Sequence, residues 1–237
     1  MSVEVVGALA KLTLALRVVG VRADGHHLID AEMVTVDLAD ELAFSAGDGL
    51  DVVPVAGGLD VSAGDDNLVC RALRAVGRTA HVRLTKRIPA GAGLGGGSAD
   101  AAAVLRWAGA EDLAVAATIG ADVAFCVRGG RARVTGVGEQ VEPLPFVDRT
   151  FTLLTPPVGC STAAVYAAWD ALGGPGGDGP NDLEPAALRV EPRLREWRDR
   201  LGEATGVKPM LAGSGSTWFV EGAYPGDDRV VVRTAVP

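Results

Sequence analysis

The chain of 237 residues carries a formal net charge of −8, and no cluster of Lys or Arg offsets it, so the basic stripe that a nucleic-acid backbone requires is missing. Hydrophobic residues make up 48% of the chain and aromatic ones only 5%, so a core large enough for one big domain or two small ones is built mainly from Val, Leu and Ala. No apolar run reaches the about 20 residues of a bilayer-spanning helix. Met1-Ser2-Val3-Glu4 has neither the basic start nor the apolar middle of a leader peptide. Cys70, Cys126 and Cys160 are odd in number and too widely spaced for a disulfide framework or a zinc site. These features predict a cytoplasmic protein with reduced thiols and no membrane or nucleic-acid partner; a monomer or weak homodimer is expected, although nothing in these features fixes the oligomeric state.

In chain order, Leu12 to Val18 alternates and predicts a strand, and Met33 to Leu38 predicts another. Asp51 to Val61, broken at Gly57-Gly58, reads as a hairpin. Asp66 to Val76 has helical spacing with Asp65 or Asp66 as its cap. Ala80 to Leu84 is a strand that leads into a glycine-rich loop, and Ser98 to Ala108 is an alanine-rich helix for which Ser98 is the expected cap. A short helix covers Asp112 to Ile119. Arg131 to Val137 and Gln140 to Leu144 form a strand pair. After Pro143-Leu144-Pro145 a new strand starts at Phe151, which puts a domain boundary between 1–148 and 149–237. Ser161 to Leu172 is a helix capped by Ser161 or Thr162, Gly173 to Pro180 is a Gly/Pro-rich loop, Leu183 to Leu188 and Glu191 to Leu201 are helical, and Met210 to Val220 holds a second glycine-rich turn. The fold class is α+β, with two lobes and one glycine loop in each, and a cleft between them is expected.

The strongest local signal is Pro89-Ala90-Gly91-Ala92-Gly93-Leu94-Gly95-Gly96-Gly97-Ser98, followed by a helix. Closely spaced glycines let backbone amides converge on one concavity, and the helix adds its positive end, a combination suited to a di- or triphosphate. It is not a Walker loop, since no Gly-Lys-Ser/Thr follows, and it is not a dinucleotide fingerprint. The chain has only three lysines, Lys11, Lys86 and Lys208. A lysine retained in an Arg-rich chain marks a place where a guanidinium does not fit. From the residues alone, Asp122 reads first as a turn cap and only second as a general base, Lys11 first as an exposed strand-end lysine and only second as a cation beside that acid, Asn67 as a helix-start residue, Lys86 as a surface strand residue, and Ser98 equally as a cap or a phosphate and metal contact.

The segment Pro89 to Ala99 resembles the phosphate loop of the GHMP kinases, and further segments in the same order extend the resemblance over nearly the whole chain. They are Ala10-Lys11-Leu12-Thr13-Leu14, Arg22-Ala23-Asp24-Gly25-His26-His27, Asp66-Asn67-Leu68, Gly120-Ala121-Asp122-Val123-Ala124-Phe125, Asn181-Asp182-Leu183-Glu184-Pro185 and Gly213-Ser214-Gly215-Ser216-Thr217. The set is most similar to the branch of the family whose acceptor carries a cytidine. The resemblance implies an N-terminal lobe of ribosomal-S5-like fold, a C-terminal α/β sandwich lobe, and ATP- and Mg2+-dependent phosphorylation of a small-molecule hydroxyl. It implies catalytic roles for Lys11 and Asp122. For ATP it implies Pro89, Gly91, Gly93, Leu94, Gly95, Gly96, Gly97 and Ser98 around the phosphates, with Asn67 and Lys86 near the adenine. It implies Ser98 as a metal contact, and Thr13, His26 and His27 as acceptor-binding residues, the histidines at a cytosine. Thr13 stands where the family has Asn and His26 where it has Tyr, and segments 47–62, 106–112 and the C-terminal end are shorter than usual, so the acceptor is less firmly implied than ATP. A kinase for homoserine, mevalonate or a sugar, and a GHMP-fold sensor without phosphoryl transfer, are the alternative readings.

Overall fold

The computed structural model describes residues 3–54, 59–174 and 179–237. Two long strands, β1 (Glu4–Val21) and β2 (His27–Ser45), pair antiparallel around a turn in which the Arg22 amide donates to the His26 carbonyl and Gly25 takes φ +85°. Both extend well past the alternating stretches that predict them. Strands β3 (Gly49–Val53), β4 (His81–Thr85), β5 (Arg131–Gly136) and β6 (Gln140–Leu144) complete the first sheet in the order β3-β4-β2-β5-β6, with β1 also on β2. β3 runs parallel to β4, so the expected hairpin over Asp51 to Val61 is corrected. Its first arm pairs with a strand that follows a helix, not with a neighbour across a tight turn, while Gly57-Gly58 lie outside the described residues.

The register of β1 against β2 slips by two residues between Leu9 and Lys11, which keeps the faces, and by one between Thr13 and Ala15. A slip of one residue exchanges the two faces of a strand. On β2 the buried alternation accordingly changes phase, from Ile29, Ala31 and Met33 to Asp40, Leu42 and Phe44. That phase change turns Asp40, an acid, toward the interior.

Helices α1 (Leu68–Ala75), α2 (Gly96–Trp107), α3 (Leu113–Ile119) and α4 (Val123–Arg128) accompany the first sheet. Helix α2 packs on β1, β2, α1 and α4, and its run from Ala99 to Leu105 is buried on every side, which the small alanine side chains permit. Asn67 caps α1 by accepting from the Val69 amide at 2.9 Å. This corrects the expected Asp65 or Asp66 cap: Asp66 accepts from the Ser62 hydroxyl and Asp65 pairs with Arg74. Ser98 is likewise not a cap. Helix α2 starts two residues earlier, at Gly96, with Gly95 at the cap in the left-handed conformation. Helix α4 had no signal of its own, because a short run that is apolar up to its final Arg128 has no readable period.

The second sheet, β10-β7-β9-β8, is antiparallel and made of β7 (Thr150–Leu154), β8 (Met210–Leu211), β9 (Trp218–Glu221) and β10 (Val230–Arg233). Helices α5 (Thr162–Ala171), α6 (Glu184–Val190) and α7 (Leu194–Thr205) join its strands, and Ser161 caps α5 as expected. Of the Gly/Pro-rich stretch from Gly173 to Pro180, residues 175–178 lie outside the described residues. Trp218, Phe219 and Val220 are all fully buried, as befits a strand flanked by β7 and β8. No helix among the described residues is long and apolar enough to cross a membrane.

Asn181 ties the second glycine turn to the rest. Its Nδ2 donates to the carbonyls of Leu211 (2.9 Å) and Gly213 (2.7 Å), and its Oδ1 accepts from the Leu183 amide (2.9 Å). Replacing Asn181 by Ala leaves these buried backbone groups without partners, which costs roughly 2–4 kcal/mol. Urea unfolding is expected to show that loss as a lowered midpoint. A change within about 0.5 kcal/mol, the range of surface positions, would mean that the turn stands without its anchor.

Candidate active site

The two glycine turns meet face to face. The Gly91 carbonyl accepts from the amides of Cys160 and Ser216 at 3.2 Å each, and the Ala92 carbonyl accepts from Thr217 at 3.1 Å. A side chain on Gly93 (φ +76°) would overlap the Ala212 carbonyl oxygen. One on Gly95 (φ +68°) would lie 2.7 Å from Lys11 Cγ. With these carbonyls committed, and with no side-chain cap at Gly95, the first amides of α2 are left without intrahelical or side-chain acceptors. They open on a cavity of about 900 Å3 lined by both turns, β1, the β1–β2 turn, α5 and residues before α4. Pro89, Gly91, Gly93, Leu94, Gly95, Gly96, Gly97 and Ser98 all line it.

Lys11 reaches the cavity from β1, on the opposite face from the core residues Ala10 and Leu12. It is 5% exposed, which disposes of the strand-end reading. Its Nζ donates to Thr13 Oγ1 at 3.1 Å and lies 3.4 Å from Asp122 Oδ2. Its backbone amide donates to the Leu94 carbonyl at 3.0 Å, so strand and loop are bolted together. Asp122 occupies the cap position of α4, yet its side chain makes no capping hydrogen bond. It points to Lys11 instead, with 30% of the side chain open to the cavity.

The remaining expected residues are distributed unequally. Asn67 lines the cavity, with its amide committed to the α1 cap and to the Ser62 carbonyl. Lys86 also borders the cavity, but it is buried, with Nζ held by Asp40 and, at 2.7 Å, by Asp100 Oδ2. It is no surface residue. His27 lies at the far end, 12% exposed. It shares a 2.8 Å hydrogen bond with Asp170 and is set against Tyr166 (centroids 4.6 Å, 31°) and Trp169 (5.6 Å, 86°). His26 borders the cavity from the exposed turn, where its backbone amide donates to Asp24 at 3.2 Å.

Sequence reasoning missed Tyr166, Trp169 and Asp170, which α5 brings across from the second sheet. It also missed Asp40 and Asp100. Signals existed: Tyr166 is one of two tyrosines in the chain, and Asp100 is an acid inside an alanine run. Burial, and next the negative charge of Asp122, push the Tyr166 phenol up to about 12, so it is a neutral ring at physiological pH.

No group of three or more His, Cys, Asp or Glu that could hold a metal ion occurs among the described residues. A hard cation entering with a polyphosphate needs few protein ligands, and the Ser98 hydroxyl on the first turn of α2 fits that need.

The loop geometry sets a stability test. An alanine at position 93 must adopt a left-handed backbone, at a cost of about 1–2 kcal/mol, and must also displace the Ala212 carbonyl. At position 97 the nearest atom to an added Cβ is Leu68 Cδ1 at 3.6 Å. Thermal unfolding is expected to show Gly93→Ala clearly destabilised and Gly97→Ala close to the parent. Equal melting of the two would contradict the close apposition of the turns.

Residues 67–130 match the GHMP kinases N terminal domain. Over 90% of its length the chain is 36% identical to a 4-diphosphocytidyl-2-C-methyl-D-erythritol kinase of Rhodopseudomonas palustris, of which 86% is covered. Over 96% of its length it is 38% identical to the enzyme of that name from Ruegeria pomeroyi, of which 94% is covered. A crystal structure of a 4-(cytidine 5'-diphospho)-2C-methyl-D-erythritol kinase superimposes with a TM-score of 0.74 at 31% identity, covering 98% of this chain and all of that one.

Proposed function

The chain belongs to the GHMP kinase family, and on that premise we propose that it transfers the γ-phosphoryl group of ATP to the 2-hydroxyl of 4-diphosphocytidyl-2-C-methyl-D-erythritol, yielding ADP and the 2-phosphate in cytoplasmic isoprenoid precursor biosynthesis. The observation that carries the reading is the Lys11–Asp122 pair, 3.4 Å apart at the wall of the cavity that also holds the glycine loop. The names of the relatives supply the acceptor.

Each residue then has a task. The amides of Gly95 to Ser98 hold the phosphate chain at the start of α2. Asp122 accepts the proton of the acceptor hydroxyl as the oxygen attacks. Lys11 holds that carboxylate in place and offsets negative charge that develops on the transferred group, and Thr13 fixes the direction of its ammonium. Mg2+, when bound, neutralises phosphate charge, with Ser98 as its protein contact. Asn67 and the wall near Lys86 border the adenine. The aromatic corner of Tyr166, Trp169 and His27 receives the flat cytosine, and His26 borders it. The division of the chain into 1–148 and 149–237 is supported by sheet membership, since β1–β6 precede it and β7–β10 follow it.

ADP release with Mg·ATP in a panel of the cytidyl acceptor, homoserine, mevalonate and galactose tests the assignment. Strong stimulation by the cytidyl acceptor alone is expected. Stimulation only by another member of the panel would replace the acceptor, and no stimulation by any would remove the kinase. Asp122→Asn is expected to lower kcat by about 100- to 10,000-fold, while the nucleotide dissociation constant stays within a few-fold. An unchanged kcat would take the base role away from Asp122.

A further inference from the structure

The first sheet has an edge that the fold leaves without a partner strand. Within that sheet β1 pairs with β2 alone. Among the described residues, backbone hydrogen bonds on its other side begin at Lys11, whose amide donates to the Leu94 carbonyl, and continue at Leu16, whose amide donates to Pro180. Backbone groups alternate sides along a strand, so the amides and carbonyls of Leu9, Gly7 and Val5 turn the same way as the Lys11 amide. One of these has a partner among the described residues, the Gly7 carbonyl, which the Arg106 guanidinium reaches at 3.4 Å. The devices that usually blunt a free edge are missing. Residues 3–9 hold no Pro and no Lys, and the pairing with β2 runs from Glu4 to Leu9 without a slip. Val3 and Val5 are 60% and 57% exposed, and a side chain on Gly7 would meet nothing within 4 Å.

Two unmatched charges flank this edge. Glu4 falls by alternation on the face of the buried Ala8 and Ala10, the face on which α2 packs. It is exposed and pairs with no cation among the described residues. On the same face Arg106, near the end of α2, donates to the carbonyls of Cys126 at 2.8 Å and of Gly7. No carboxylate forms an ion pair with it among the described residues. Burial pulls the guanidinium below its ordinary value, and Cys126 and Glu111 offset this only in part. An acid is therefore lacking beside Gly7, and a base is lacking beside Glu4.

We propose that two copies of this chain join along this edge, β1 running antiparallel to β1 about a two-fold axis at Val6, so that the two first sheets become one. In this register Val5 lies opposite the partner's Gly7, and their outward amides and carbonyls bond to each other. The open space at Gly7 takes the partner's Val5. Glu4 lies opposite the partner's Ala8, on the α2 face and next to the partner's Arg106, and symmetry makes this match twice. The long Arg106 contact to the Gly7 carbonyl gives way to the partner's Val5 amide, and the guanidinium turns to the partner's Glu4. With the axis at Val5 instead, Glu4 moves about 7 Å along the strand, away from that guanidinium. Charge thus selects both the occupant and the register, because one surface carries the acid and the base that complete each other. Pairing over residues 3–9 makes an interface at the small end of the range for stable complexes, so the dimer forms and parts with concentration. The contact is independent of the reaction proposed above.

Sedimentation equilibrium of the whole chain, from micromolar to near-millimolar concentration, tests the pairing. The mass of the parent is expected to rise from 24.2 kDa toward twice that value. Val5→Lys sets a charge on the edge, as natural edges do, and is expected to keep the monomer mass where the parent is half dimer. Glu4→Lys is expected to raise the dimer dissociation constant by about tenfold or more, because both symmetric pairs turn from attraction to repulsion. Amide hydrogen exchange of the parent gives a readout that needs no variant: the Val5 and Gly7 amides, free in the monomer, become protected as concentration rises. A parent that keeps the monomer mass throughout overturns the proposal and leaves the edge to a strand of another protein. A dimer that persists unchanged in folded Val5→Lys, or whose Val5 and Gly7 amides exchange as in the monomer, overturns the edge as its interface. A Glu4→Lys chain that dimerises as the parent does overturns the register.

Discussion

The site depends on one contact between backbones: the turn around Gly93 lies against the carbonyl of Ala212, so close that no side chain fits between them. The contact is held by carbonyls of the first turn, Gly91 accepting from Ser216 and Ala92 from Thr217 of the second turn, with Cys160 before α5 adding a further amide to Gly91. Its consequences spread in both directions. On the first sheet it commits the loop carbonyls and leaves the α2 amides to face the cavity. On the second it brings α5 to the β1–β2 turn, where Tyr166, Trp169 and Asp170 surround His27. The two sheets and the helices that accompany them thereby border one cavity, a common place for small-molecule chemistry.

Much of this was legible in the sequence wherever a local rule decides the outcome. The glycine run, the helix behind it, the strand pair after Gly130 and the cap at Ser161 all follow from backbone freedom, periodicity and capping chemistry. Motif order brought Lys11, Thr13, Asp122 and the loop together, and they do meet. What was not legible depends on pairing between distant segments. The parallel partner of β3 lies beyond a helix, and the phase change on β2 arises from a bulge against β1. Neither leaves a mark in a short window. Asp40 went unnoticed for that reason, and Lys86 looked like a surface lysine because its two partners come from β2 and α2.

The charge balance of the molecule explains why an acidic chain can hold an anion. Its net charge of −8 is spread over exposed carboxylates, many of them matched by Arg, as in Arg133–Asp30 and Arg149–Glu221. Such pairs are solvated and screened within about 10 Å at ordinary ionic strength. At the cavity, by contrast, the first amides of α2 and the buried Lys11 ammonium act at short range. Local geometry therefore outweighs the overall sign.

The scarcity of lysine finds its explanation in the same place. Basic side chains number 22, of which three are lysine. Lys208 is exposed, while Lys11 and Lys86 are buried on the two sides of the glycine loop. At both sites the demand is for a compact charge with donors in several directions. Lys11 must reach Thr13 and Asp122 from beside Gly95, whose backbone lies against its side chain. Lys86 must satisfy carboxylates from two different elements beneath Gly96. A guanidinium is a wide plane that suits one carboxylate along its edge, and the space under two adjacent glycines does not admit it. The lysines that remain in this Arg-rich chain, the exposed Lys208 aside, are thus those that the loop leaves no room to replace.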